Sequence, residues 1–188
     1  MLTFDPIKHE YKWNDEVVYS CTQYLNMAGL VDARWFTEES RKRGTAVHVA
    51  TELLDEGRLE ESMLHPLIRP YVEAYKLFLV ESGFKCELIE QMVFDEERRV
   101  SGTLDRTGTM SNKDVLIDIK TGTPSAWSKL QTAFYESVLP KRYERYVLQL
   151  KATGKYKLHK YSNRNDIKVF RSLVSVVNWG INEKIIKP

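Results

Sequence analysis

The stretch "CELIEQMVFDEERRVSGTLDRTGTMSNKDVLIDIKTG", Cys86 to Gly122, decides the fold. Upstream of it the apolar residues recur at helical spacing, and within it they alternate. Val115, Ile117 and Ile119 interleave with Leu116, Asp118 and Lys120, so "VLIDIK" reads as a half-buried strand with side chains on opposite faces in turn. One face is apolar. The other carries a carboxylate and an ammonium two residues apart, just before a Thr-Gly turn. "CELIEQMVF" and "RVSGTLDRTGTM" read as two more strands, joined by polar turns at "DEER" and "SNKD" into an antiparallel meander. Symmetric closure of the turns pairs Met110 with Val115 and Phe94 with Arg99. That sets Asp105 opposite Lys120 and Glu90 opposite Thr103. Opposed residues share a face, as do residues i and i+2, so Glu90, Asp105, Asp118 and Lys120 are expected to converge.

Outward from the meander, Trp127, Leu130, Gln131, Phe134, Tyr135 and Val138 fall on one helical stripe, an amphipathic helix crossing back over the sheet. "RYVLQLKATGKYKLHKYS" reads as two further strands around Ala152 to Gly154. "NDIKVFRSLVSVVNWGINEK" reads as a closing helix capped by Asn165 or Asp166. On the N-terminal side come a hairpin, "LTFDPIKHEYKWNDEVVYS", and a short helix, "CTQYLNMAGL", ended by Gly29. A longer helix over "TEESRKRGTAVHVATELLDEG" stops at Gly57, and another over "HPLIRPYVEAYKLFLVESG" is opened by prolines and closed by Gly83. This order predicts an α/β fold: a mixed central sheet flanked by helices, with the N-terminal hairpin and helix as a cover. At 188 residues one domain is expected, with 1–43 as the cover and 44–188 as the core.

Apolar residues make up 43% and charged ones 29%, the balance of a water-exposed globular chain, and no apolar run is long enough to span a bilayer. Asp5, Glu10, Asp15 and Glu16 and the lack of an apolar segment argue against a secretory signal or a transit peptide. A cytoplasmic location is expected, in a bacterial host if the chain is phage-encoded. Cys21 and Cys86 are too few for a disulfide framework and lack metal-binding spacing. The net charge of +2 is too mild to announce a nucleic-acid binder. "RKR" at Arg41 to Arg43, "KRYERY" at Lys141 to Tyr146 and "KYKLHK" at Lys155 to Lys160 set positive charge beside aromatics, either as a phosphate-tracking groove or as solvated faces.

Carboxylates gathered on one side of a sheet repel one another and raise each other's pKa unless a cation sits among them. A divalent metal resolves this: hard cations such as Mg²⁺ and Mn²⁺ take carboxylate, carbonyl and water oxygens. Such a site suits phosphodiester hydrolysis, with the metal activating water and Lys120 orienting it or stabilising developing charge.

"SGTLDR" followed by "LIDIKTG", then "QTAFY" on a helix, with "RGTAVH" upstream, resembles the PD-(D/E)xK nuclease superfamily and within it the RecB-like and Cas4-like branch. The likeness spans Arg43 to Tyr135. "YSCTQYL" adds a looser similarity to the Ser/Thr segment that opens phage and mitochondrial members. The resemblance implies a restriction-endonuclease-like core and Mg²⁺ or Mn²⁺ held by Asp105, Asp118 and the backbone carbonyl of Ile119, with Lys120 as the catalytic lysine. It implies an imidazole ligand at His48, which the residues alone would read as a helix-surface partner of Glu52. Glu90 sits where related proteins carry an acid; it is a ligand, a partner of Lys120 or a ligand of a second metal. Gln131 and Tyr135 match a Q-x-x-x-Y signature that contacts phosphates, although both also fit a core polar pair. Arg43 and Thr121 are expected to contact DNA, Arg106 to be structural, and Trp127 to stack on a base or pack in the core.

The cysteines depart from the family members that hold an iron–sulfur cluster with one N-terminal and three C-terminal cysteines, so no cluster is expected. What remains resembles the cluster-free phage exonucleases and their mitochondrial relative. The implied function is a metal-dependent DNA exonuclease of phage or bacterial replication, recombination or repair, acting on single-stranded DNA or a free end. The alternatives are a structure-specific endonuclease with the same site and an inactive DNA-binding module. Tyr11, Trp13, Tyr19, Tyr24 and Trp35 in the N-terminal segment either stack bases from a cover or pack onto the core.

Overall fold

Helices begin and end where local chemistry favours it. In the computed structural model, which describes residues 1–6, 8–32 and 37–188, Ser20 caps helix α1 (Cys21–Met27) in a reciprocal pair with Gln23, and the Thr37 hydroxyl caps α2 (Glu38–Asp55). Pro70 sits in the first turn of α3 (Arg69–Ser82), and Gly83 ends that helix at φ 63°, a left-handed position that costs glycine least. Helix α4 spans Ser128–Ser137 and α5 Asp166–Asn182. Asn165 makes no side-chain cap bond to α5, and Asp166 turns inward to meet Arg145 at 2.9 Å, so neither expected cap forms. Among the described residues no helix is long and apolar enough to cross a membrane.

The strands are β1 (Leu2–Asp5), β2 (Glu10–Trp13), β3 (Glu16–Ser20), β4 (Lys85–Asp95), β5 (Val100–Met110), β6 (Lys113–Lys120), β7 (Glu144–Leu150) and β8 (Tyr156–Tyr161). They form one mixed sheet in the order β1-β2-β3-β5-β6-β7-β8, with β4 along the other edge of β5. Strand β5 is therefore the hub. Its start pairs in parallel with β3 through Tyr19↔Val100, and its end pairs antiparallel with β6 through Arg106↔Ile117. Strand β7 lies parallel to β6.

Both hairpin turns are closed differently from the expected symmetric reading. Ser111 and Asn112, at φ 51° and 60°, make a two-residue turn that pairs Met110 with Lys113, and Phe94 pairs with Ser101. Each register is thus displaced by two residues. Asp105 lies level with Asp118 instead of Lys120, and Glu90 level with Asp105 instead of Thr103. Because side chains alternate with period two, a displacement of two preserves the face, whereas one residue would have reversed it.

Two layers cover the sheet. Leu116 packs with Phe134 of α4, Phe170 of α5 and Leu25 of α1, while Val115, Ile117 and Ile119 pack with Val47 of α2 and Phe78 of α3. Strand β6 is therefore buried on both faces, not half-buried as its alternation suggested, because helices cover both sides of its pairing with parallel β7. The N-terminal hairpin and helix exist, but they are built into the sheet and core. Cys21, Tyr24 and Leu25 are at most 3% exposed, and position 43 lies inside α2. The Tyr11 hydroxyl bonds Thr103 Oγ1 at 2.7 Å, Trp13 stacks on Phe94, and Tyr24 donates to Asn178. With Tyr19 edge-on to Tyr24, these aromatics pack within the protein rather than presenting faces to bases. Trp35 lies outside the described residues.

Candidate active site

Strand β5 turns over at Asp105. Leu104 packs on the α4/α5 side, yet Arg106, two residues on, is fully buried on the α2 side, although positions i and i+2 of a regular strand share a face. On β4 the residue level with Asp105 is Glu90, whose φ is 45°. Paired irregularities of this kind re-aim side chains. Between Ser101, where β3 ends its pairing, and Arg106, where β6 begins, one edge of β5 is left open. Asp105 fills that opening, its Oδ2 accepting the Ile119 N–H at 2.5 Å.

The Arg106 guanidinium holds the back of the site. Its Nε donates to Asp55 Oδ2 at 2.6 Å, its Nη1 to Glu90 Oε1 at 2.9 Å and to the Asp105 carbonyl, and its Nη2 to Thr51 Oγ1 at 3.2 Å. Arg106 is structural, as expected. Asp55 and Thr51 were missed by the sequence reading. The available signal was that a strand arginine flanked by buried positions requires a carboxylate, and Asp55 falls seven residues after His48 on one helical face.

His48 is not a surface partner of Glu52. Its Nδ1 lies 3.3 Å from Glu90 Oε1 and 3.7 Å from Asp105 Oδ1, and its Nε2 lies 3.1 Å from the Ile119 carbonyl oxygen. Burial opposes charge on this ring, but Asp105 and Glu90 outweigh it and push the imidazole to about 9. Burial raises the Asp105 carboxyl to about 6; Asp118 and Glu90 push the same way against His48 and Lys120. Burial also opposes charge on Glu90, yet His48 and Arg106 hold that carboxyl below its ordinary value. Ligand atoms of His48, Glu90 and Asp105 all lie within 4.8 Å of one another.

Asp118, 1% exposed, stands outside that trio and is held by Lys120. Lys120 Nζ donates to Asp118 Oδ1 at 3.0 Å and lies 2.9 Å from Oδ2, a contact without hydrogen-bond geometry. The ammonium also sits 5.6 Å from the ring of Trp127, which packs in the core beneath it.

The charges test whether a divalent cation fits. Asp55, Glu90, Asp105 and Asp118 face two permanent cations, Arg106 and Lys120. As a metal ligand His48 must be neutral, and the cluster then carries two uncompensated negative charges, the charge of Mg²⁺ or Mn²⁺; with no ion bound, the charged imidazole offsets one of them. Carboxylate oxygens, a carbonyl oxygen and an imidazole are the donors such ions accept.

Two clefts flank the cluster. One, of about 640 Å³, is lined by Arg41, Arg43, His48, Lys120 and Thr121. The other, of about 360 Å³, is lined by Ser20, Gly102, Thr103, Gln131 and Tyr135. Gln131 Nε2 donates to the Tyr135 hydroxyl at 3.3 Å, and its buried Oε1 has no partner among the described residues. The structure thus brings together Glu90, Asp105, Asp118, Lys120, His48 and Ile119, with Arg43 and Thr121 in one cleft and Gln131 and Tyr135 in the other. In the two remaining basic runs half of the lysines and arginines are paired on the protein itself: Lys141 with Asp114, Arg145 with Asp166, and Lys160 with Glu144.

No protein-family model and no curated protein matches the sequence. Among solved structures, a candidate exonuclease from Eubacterium rectale superposes with a TM-score of 0.56 at 10% identity, over 91% of this chain and 83% of that one. That likeness shows a shared fold. The alkaline exonuclease LHK-Exo of Laribacter hongkongensis gives a TM-score of 0.45 at 12% identity, and its complex with dAMP 0.42 at 13%, each covering 89% of both chains.

Proposed function

We propose that the protein is a Mg²⁺- or Mn²⁺-dependent DNA exonuclease of the PD-(D/E)xK type, of the RecB-like and Cas4-like branch, working in the cytoplasm in phage or bacterial replication, recombination or repair. The observation that carries this reading is the convergence of Asp105, Asp118, Lys120 and His48 on one cluster of oxygen and imidazole donors. Asp105, Asp118, the Ile119 carbonyl and His48 would hold the ion, and Glu90, anchored by Arg106, would orient His48. When bound, such an ion lowers the pKa of the attacking water and offsets charge on the phosphate.

The chain's own residues supply the rest. Burial opposes charge on Lys120, but Asp118 and Asp105 keep its ammonium above the ordinary lysine value. Beside Asp118 it is placed as a charged donor to the nucleophilic water or a phosphate oxygen. Arg43 and Thr121 on one side and Gln131 and Tyr135 on the other are placed to hold the phosphates flanking the scissile bond. The fold shared with the E. rectale candidate exonuclease favours the end-directed mode over an endonuclease.

The test is digestion of end-labelled linear and covalently closed single-stranded DNA with Mg²⁺, Mn²⁺ or EDTA. Linear DNA should shorten progressively with either metal, while the circle and the EDTA reactions stay intact. Nicking of the circle at a rate comparable to linear digestion would replace the exonuclease by an endonuclease, and binding without cleavage would leave a DNA-binding module.

A further inference from the structure

The end of α4, the loop into β7 and the start of α5 enclose a third cleft of about 390 Å³, lined by none of the residues of the catalytic cluster. Its lining holds five cations and one carboxylate, whereas the whole chain carries a net charge of only +2. Glu136 is already engaged, by Arg164 at 2.6 Å and by Arg145 at 3.5 Å, and Arg145 also reaches Asp166. Lys141 pairs with Asp114. Arg142 and Arg171 are exposed, and neither guanidinium has a hydrogen-bond or ion-pair partner among the described residues. Two uncommitted guanidiniums lining one concavity raise its positive potential, and a guanidinium fork matches phosphate oxygens.

We infer that this cleft binds the phosphodiester backbone of nucleic acid away from the scissile bond, a reading that rests on the proposed nuclease function. Helix α4 links the two sites: Ser128 at its start lines the catalytic cleft and Ser137 at its end lines the basic one. In strand register Arg145 is level with Leu116, four residues before Lys120. That is about 13 Å along the strand, on the order of four nucleotide rises, so a strand engaged at Lys120 reaches this cleft only if several nucleotides long.

The experiment measures binding of fluorescent single-stranded oligonucleotides of about three and about twenty nucleotides in EDTA, across a salt series, to the wild type and to R142A/R171A. Both arginines are exposed and unpaired, so the variant should keep the wild-type melting temperature. The variant should bind the long oligonucleotide several-fold more weakly, with the slope of log K against log salt smaller by about 1.4, and bind the short one as the wild type does. A deoxynucleoside monophosphate should not displace the long strand from this cleft. Unchanged affinity and slope for the long strand would overturn the assignment. Equal loss for both lengths, or stoichiometric monophosphate binding lost in the variant, would overturn the backbone track and indicate a site for a free phosphate. Failure of the wild type to bind any oligonucleotide would remove the nuclease reading along with this one.

Discussion

Arg106 and Asp55 form a buried ion pair, Nε to Oδ2 at 2.6 Å with side chains 0% and 4% exposed, and it ties the helix carrying His48 to the strand carrying Asp105. Tyr75 donates to the same Oδ2 at 2.8 Å, so the carboxylate is satisfied from two sides. Removing one member of such a pair leaves its partner buried without compensation, at a cost of about 3–5 kcal/mol. Asp55→Ala should therefore lower the melting temperature by on the order of 10 °C, read by circular dichroism, although Asp55 touches none of the reacting groups. A change of a degree or less would mean that Glu90 alone suffices to hold Arg106.

Lys120→Ala removes the ammonium that grips Asp118 and sits beside the Trp127 ring. Cleavage should fall by about two to three orders of magnitude, the scale of one electrostatic or acid–base contribution. Mn²⁺ binding by calorimetry should persist, because Asp118 is then free to act as a ligand. Wild-type cleavage by the folded variant would exclude this residue from the chemistry.

Metal should stabilise the fold through the same charge balance. Mn²⁺ at about one hundred times its Kd should raise wild-type stability by about 2.7 kcal/mol, seen as a higher melting temperature than in EDTA. In His48→Ala the shift should shrink, since the imidazole donor is lost while the carboxylates remain. An identical shift in both proteins would return His48 to a structural role.

Gly102 offers a probe of the second cleft. A Cβ there would lie 2.8 Å from Tyr135 Cε1 and 3.4 Å from its hydroxyl, so Gly102→Ala must displace the ring that receives the Gln131 hydrogen bond. We expect about 1–3 kcal/mol of destabilisation by denaturant titration, together with a raised KM for DNA. Tyr135→Phe, which keeps the ring and deletes the hydroxyl, should raise KM with less loss of stability.

Truncation tests the role of the N-terminal segment. Deleting residues 1–27 removes β1 to β3 and the buried Cys21, Tyr24 and Leu25, so the remaining chain should lack a cooperative unfolding transition. A well-folded truncated protein would instead fit a detachable cover.

Much of the architecture was legible in the chain because its signals are local. Alternation through "VLIDIK", Gly57 and Gly83 as helix stops, and the stripe containing Gln131 and Tyr135 depend only on the 2.0 and 3.6 periodicities. The convergence of Asp105, Asp118 and Lys120 was readable even with the wrong register, since the displacement at Ser111 and Asn112 was even. Other features required distant pieces of chain to meet. The reversal of β5 between Leu104 and Arg106 accompanies a buried guanidinium whose carboxylate partners come from α2 and β4. The open edge filled by Asp105 exists only because β3 and β6 share one side of β5. Periodicity determines which face a residue occupies. Tertiary structure decided which buried charges met, because an ion pair depends on through-space distance and desolvation that neighbours in sequence do not encode.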